Sequence, residues 1–183
     1  MVYVILESIV ICIIFTILII ISYKKNPLSG LHNLPIKIQK RVQELQEYKD
    51  IKPKKVLSTK ERIIKKFPAI LIFLIFLTII VYFDGARDFK NGFIYSFTIW
   101  IIIKLYVVFI LDCLWYAHSP KNWIKGTEDL EKEYQNYKFY LSSIPRSLIV
   151  GAIVSIMIGI ILIVIWKWDE NNENWGCKQK VWY

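Results

Sequence analysis

FIYSFTIWIIIKLYVVFILDCLW, residues 93–115, is an apolar run long enough to cross a bilayer, with Lys104 near its middle and Asp112 further along. About 20 predominantly apolar residues make a spanning helix, within a range of about 17–25. A charge at mid-bilayer depth costs about 2.5–3.5 kcal/mol on insertion scales, so Lys104 and Asp112 need a partner or a polar surrounding. The stretch thus predicts both a spanning helix and a polar position inside it.

Working outward, three further runs fit the same length: 3–21, 67–83 and 147–166, the second being short and carrying Pro68. Hydrophobic residues make up 55% of the 183-residue chain, above ordinary globular usage. The polar segments between the runs are too short for a separate soluble core, so the whole chain, 1–183, reads as one membrane domain. The first run lacks a basic leading region and a small-residue cleavage site, so it is expected to stay as an anchor helix. The expected fold is all-α: a four-helix transmembrane bundle with two short amphipathic cytoplasmic helices in the connections 23–66 and 116–146.

The formal net charge is +9, and its distribution argues against nucleic acid as the partner. Segment 23–66 holds 13 Lys and Arg against four acidic residues, while 84–92 holds two of each sign. Segment 116–146 holds five basic against four acidic residues, and the tail beyond Trp166 holds three of each. Lys and Arg concentrate in short cytoplasmic loops. The first and third connections are therefore expected inside, and both termini outside, in the cell membrane. The partners expected are the lipid bilayer, with anionic lipid at 23–66, and a second copy or another membrane protein.

Within 23–66, Asn26-Pro27-Leu28-Ser29-Gly30 marks a turn. A short helix after Pro35 would bury Ile38, Val42 and Leu45 opposite Lys37, Lys40, Arg41 and Glu44. It would lie on the membrane surface or on the end of the bundle. Pro53 breaks it, and Ser58-Thr59-Lys60-Glu61 has the form of a capping box leading into the second span, bent near Pro68. In 116–146, Gly126-Thr127 precedes a helix with Glu128, Asp129 and Glu131 in its first turn and an apolar stripe of Leu130, Tyr134, Tyr137 and Leu141. Pro145 then opens the fourth span.

Several residues are candidates for function. Glu7 and Lys104 face a bilayer that tolerates neither charge alone, so an intramembrane Glu7–Lys104 pair is expected, with Lys104 leaning toward the outer face. Asp112, His118 and His32 fall near the inner boundary. With Glu128 and Asp129 they could supply acid–base or metal chemistry. Their spacing matches no metal motif, so no metal is assigned; His32, His118 and Asp112 are the candidates. Trp115, Tyr116 and Trp123 suit an interfacial aromatic belt. Gly151, Ser155 and Gly159 recur every four residues, a small-residue face for close helix packing against the same chain or a second protomer. Cys12, Cys113 and Cys177 are far apart, with no C-x-x-C, so no dithiol or zinc centre is indicated. No Walker A, G-x-S-x-G, dinucleotide-binding glycine pattern or H-E-x-x-H occurs, and no cofactor is expected.

Three stretches are distinctive: Asn26-Pro27 with Leu31-His32-Asn33-x-Pro35 and Gln39-x-Arg41-Val42, then Asp112-Cys113-Leu114-Trp115-x-x-His118-Ser119, then Gly126-Thr127-Glu128-Asp129 with Glu133-Tyr134-x-x-Tyr137. On these stretches the sequence resembles, over most of its length, a group of small four-helix integral membrane proteins of low-GC Gram-positive bacteria, some of them labelled ABC transporter permease. The resemblance implies a four-helix membrane fold and draws attention to the cytoplasmic motifs, without implying a chemistry. Three functions stay open: a non-catalytic membrane component (a small transport subunit or assembly partner), a membrane-embedded enzyme acting on a lipid or other amphiphile at the inner interface, and a lipid-surface scaffold.

Overall fold

The structure, a computed structural model, describes residues 2–25, 27–48 and 59–179. Ser58 and the side chains of Thr59, Lys60 and Glu61 in the expected capping box, the break at Pro53 and the side chain of Cys177 lie outside the described residues. All regular structure among the described residues is helical. Helix α1 is Val2–Lys25, α2 Ile36–Glu44, α3 Thr59–Phe83 and α4 Phe89–Tyr106. Two short helices, α5 Glu131–Tyr134 and α6 Tyr137–Leu141, precede the long α7, Ser143–Gln179. Three helical stretches are long and apolar enough to cross a membrane: Val2–Lys25, Phe89–Tyr116 and Tyr137–Glu170. Phe67–Phe83 is a shorter apolar part of α3, which continues as one helix through Pro68.

Helix α4 is the centre of the bundle and touches α1, α3 and α7, with α7 its most extensive partner. Its start is set by chemistry. Asp88 is extended, and its carboxylate accepts from the backbone N–H of Asn91 at 2.9 Å, an N-cap that satisfies an otherwise orphaned donor. That bond also holds the exposed Asp88 carboxyl below its ordinary range. The turn before it reverses the chain through Gly85, whose φ of +84° is left-handed backbone that favours glycine.

The α4–α7 contact is built on small residues. A Cβ on Gly92 would stand 3.2 Å from the Gly159 Cα and 2.8 Å from a Leu162 methyl. Gly159 packs under Phe89 and Gly151 under the Trp100 indole, whose N–H donates to the Ser147 carbonyl at 2.9 Å. Ser155 is fully buried between them. The small-residue face of 151–159 thus packs against α4 of the same chain. Leu77, Val81, Ile99, Ile158 and Leu162 fill the interior, while Ile13, Ile17, Ile72, Ile75, Ile153 and Ile160 point outward. Extensive outward aliphatic surface of this kind marks a surface meant to be covered.

A second small core caps the end of the bundle that carries the two long connections. Helix α2 buries Ile38 and Val42 completely, while Lys37, Lys40 and Arg41 stay exposed. They meet Leu31, Leu34, Ile124 and Tyr134. Burial of a side chain the size of Ile38 stabilises by about 1.5–3 kcal/mol. Lys37 pairs with Glu133, and Arg41 stands 3.8 Å from Asp129, so the connections also meet through charge.

Two expected helices differ in form. The single helix expected after Gly126 is broken at Gln135-Asn136, where Asn136 caps α6 by accepting from the Phe139 N–H. Its expected stripe divides accordingly: Tyr134 is fully buried, whereas Tyr137 and Leu141 are exposed. The third run is helical to Tyr116, but Val107–Tyr116 is wound as a π-helix. Its pattern of burial explains this. Val108 and Cys113, and likewise Leu111 and Tyr116, are five residues apart and all buried. At about 100° per residue an α-helix would turn such pairs roughly 140° from one another, and i→i+5 bonding brings each pair onto one side.

Candidate functional site

The π-helical segment carries Asp112 to the connection end of α4. The carbonyl of Asp112 accepts from the Ala117 N–H at 3.1 Å, five residues on. Its carboxylate is half-buried and interacts electrostatically with Lys104, Tyr23, Tyr116 and Tyr140. Around it the tyrosines are positioned from three directions. Tyr23 comes from the last turn of α1, and its hydroxyl lies under Gly30, where a Cβ would collide with it. Its ring is 5.2 Å from that of Tyr116 and 6.2 Å from that of Trp115. Tyr116 is 3% exposed, and among the described residues its hydroxyl has no hydrogen-bond partner. Tyr140, from α6, packs on Val108 and Cys113 and donates to the Tyr134 carbonyl at 3.2 Å.

Tyr134 anchors the whole cap. Its ring stacks on Trp123 with centroids 4.7 Å apart, and its hydroxyl contacts Thr127 Oγ1 at 2.7 Å and the Ile124 N–H at 3.2 Å. Burial pushes its phenol above the ordinary tyrosine range. Gly126, at φ +80°, lets the chain turn there, against Leu45.

The charges expected to pair across the bundle have other neighbours. Lys104 Nζ donates to Ser143 Oγ at 2.9 Å, so the side chain reaches toward the connection end, opposite to the expected direction. Ser143 opens α7 there and offers an acceptor within reach of the Lys stem. Glu7 lies at the other end, beside Asp84. The two side chains face each other at hydrogen-bonding range, and among the described residues no other donor reaches the buried Glu7 Oε2 or the buried Asp84 Oδ2. The Glu7–Lys104 pair is therefore replaced by two separate polar positions, one at each end of the bundle.

The candidates of the inner boundary are spread. His118 is exposed, with Nδ1 3.0 Å from the Cys113 carbonyl and Nε2 3.1 Å from the Tyr137 hydroxyl, the two rings stacked. Glu128 and Asp129 are exposed, in a short 3₁₀ turn, with Asp129 toward Arg41. His32 lies in the 3₁₀ turn Pro27–Asn33, and its side chain is outside the described residues. Among the described residues no three of His, Cys, Asp and Glu converge on a position that could hold a metal. Cys12 and Cys113 are buried free thiols.

What sequence reasoning missed is the tyrosine cluster. Tyr116 was assigned to an interfacial belt yet is interior, and Tyr23 and Tyr140 drew no attention. Compared with known protein families, with curated proteins and with solved structures, the chain matches none.

Proposed function

We propose that the chain is a four-span integral protein of the cell membrane with both termini extracytoplasmic, acting as a non-catalytic component: a small transport subunit or an assembly partner. The observation that carries this reading is how the candidate chemical groups are used. His118 holds Cys113 and Tyr137, Asp129 faces Arg41, and Lys104 holds Ser143; they tie connections together and do not converge on a reacting centre. The three long apolar helices and the outward aliphatic faces support the membrane setting. α3 supplies the fourth span, packed on α4 and α7, with Phe67–Phe83 as its apolar part. The connections 23–66 and 116–146 are cytoplasmic, and exposed Lys37, Lys40 and Arg41 of α2 face anionic lipid. The resemblance to small four-helix membrane proteins of low-GC Gram-positive bacteria belongs to the same proposal.

Single cysteines in a background with the native cysteines replaced test the topology. Asp88→Cys is expected to react with a membrane-impermeant maleimide on intact cells, and Lys121→Cys only after permeabilisation. The reverse pattern overturns the orientation. Native mass spectrometry of protein gently released from its own membrane tests the role: a second polypeptide or further copies are expected. The half-buried Asp112 among phenols favours a second reading, a membrane-embedded enzyme acting on a lipid or amphiphile. A monomer that turns over such a substrate, and loses turnover in Asp112→Asn, would replace the first reading by the second.

A further inference from the structure

Two carboxyl groups meet at the end of the bundle away from the long connections. Glu7 comes from the second turn of α1 and Asp84 from the residue after α3, and their side chains stand at hydrogen-bonding range. Each has one buried oxygen, Glu7 Oε2 and Asp84 Oδ2, that no donor of another residue reaches among the described residues. Two ionised carboxylates offer only acceptors and repel each other. A contact of this kind therefore calls for a proton between them, with one carboxyl donating its O–H to the other.

The place of Asp84 is fixed by how α3 ends. The Ala86 N–H donates to the Val81 carbonyl at 3.2 Å and the Gly85 N–H to that of Tyr82 at 3.1 Å. These paired bonds close a helix through a left-handed residue, here Gly85. Ala86 is buried, so the turn is anchored directly beyond the carboxyl. The other charged and titratable groups of this end are engaged elsewhere or exposed. Arg87 donates to the Tyr82 carbonyl at 2.9 Å and lies over the Tyr82 and Trp166 rings, 4.1 and 5.5 Å from their centroids. From α7, Asp169 accepts from the Tyr82 hydroxyl at 2.9 Å, while Lys167 and Glu170 are exposed. From α4, Asp88 caps its own helix and Lys90 is exposed, as is Tyr3 on α1. Among the described residues, Asp84 is the one charged group that acts on Glu7.

We propose that Glu7 and Asp84 share one proton, and that the hydrogen bond so formed is a pH-sensitive clasp between the start of α1 and the turn joining α3 to α4. The start of α1 suits such control. Val2, Tyr3, Ile5 and Leu6 point away from the bundle, and the buried contacts of this stretch are Val4 and Ser8. When the proton leaves, two negative charges stand in contact at poorly solvated oxygens, and the clasp becomes a repulsion. The folded pair keeps a proton that the separated carboxyls of an unfolded chain release. Its contribution is therefore complete in acid and is lost as pH rises through the titration of the folded pair. The clasp requires neither the orientation in the membrane nor the role proposed above.

The full-length protein in detergent is unfolded thermally at pH values from about 5 to about 9, where buried or paired carboxyls titrate. The native melting temperature is expected to fall by several degrees across the series relative to Glu7→Gln, whose amide donates to the Asp84 carboxylate at every pH. Asp84→Asn makes the same comparison from the other side, and carries it alone where the first variant does not fold. Groups that titrate elsewhere are common to the three proteins and cancel. Infrared spectra over the same series give a readout that a merely structural contact would not move. The native-minus-variant difference is expected to show a protonated-carboxyl C=O band that disappears toward alkaline pH. Absence of that band overturns the shared proton, and native stability that EDTA then removes would put a metal ion in its place. Melting temperatures that run parallel, or a native protein that gains on the variants as pH rises, overturn the clasp whatever the band. None of these results depends on the topology or partner experiments, so either proposal can fail alone.

Discussion

A buried hydroxyl is worth what it bonds, and three tyrosines of this chain separate the cases. Tyr134→Phe removes contacts to Thr127 and Ile124 inside the fully buried cap and leaves their polar groups behind. Thermal unfolding should show a loss of about 1–3 kcal/mol, the cost of orphaned buried groups. Tyr116→Phe removes a hydroxyl that bonds nothing among the described residues, so the same measurement should show no loss. Tyr140→Phe, which gives up one bond to the Tyr134 carbonyl, should fall between them. Asp88 predicts a pH effect of definite sign. Its folded carboxyl is held below the ordinary value by the Asn91 N–H, so the cap's contribution is complete above the unfolded aspartate range and is lost as pH falls through the folded value. The melting temperature should therefore fall in acid more steeply for the native protein than for Asp88→Asn, which keeps a capping oxygen without the titrating charge. At this scale the sequence announced the charges but not their partners. Lys104 and Glu7 were identifiable because bilayers reject charge, yet Ser143 and Asp84 are chosen by helix ends and turns that spacing does not encode.

The elements hold together through shape more than charge. In α2 the salt links of Lys37 and Arg41 are solvent-exposed, and exposed pairs contribute about 0–1 kcal/mol. Lys37→Ala and Arg41→Ala should each change stability by less than about 1 kcal/mol, whereas Ile38→Ala should cost about 2–5 kcal/mol, because a fully buried aliphatic chain leaves a cavity. Protease sensitivity of the 23–66 connection would rank the three variants in that order. The helix after Pro35 was legible because apolar residues at i, i+4 and i+7 face one way. The π-winding of 107–116 was not, since an uninterrupted apolar run carries no period from which to read a change of pitch. The break before α6 was missed for a different reason: Leu130, Tyr134, Tyr137 and Leu141 fit one helix, and the competing cap from Asn136 is a local hydrogen bond that periodicity does not weigh.

Across the molecule, the small residues of α7 are already occupied by α4. Gly92→Val should strain this contact, since even a Cβ meets the Gly159 backbone at 3.2 Å, and should lower stability by about 1–3 kcal/mol without altering how many copies associate. Unfolding combined with size-exclusion chromatography separates the two effects. A change of oligomeric state with unchanged stability would place the face between protomers. The all-helical character and the three helical stretches long and apolar enough to cross a membrane were readable from apolar length alone. Which helix is central was not, because every long helix here is apolar around most of its circumference and its neighbours follow from packing detail.

The chain order of the helices gives that arrangement a consequence for synthesis. α4 meets its most extensive partner, α7, last. As the polypeptide leaves the ribosome, the groove that will receive Gly151 and Gly159, lined by Trp100, Gly92 and Phe89, waits uncovered until the final helix arrives. A chain stopped before Ser143 would present that groove to whatever neighbours surround it. Quality control should recognise such a fragment, and expression of α7 as a separate polypeptide should rescue it.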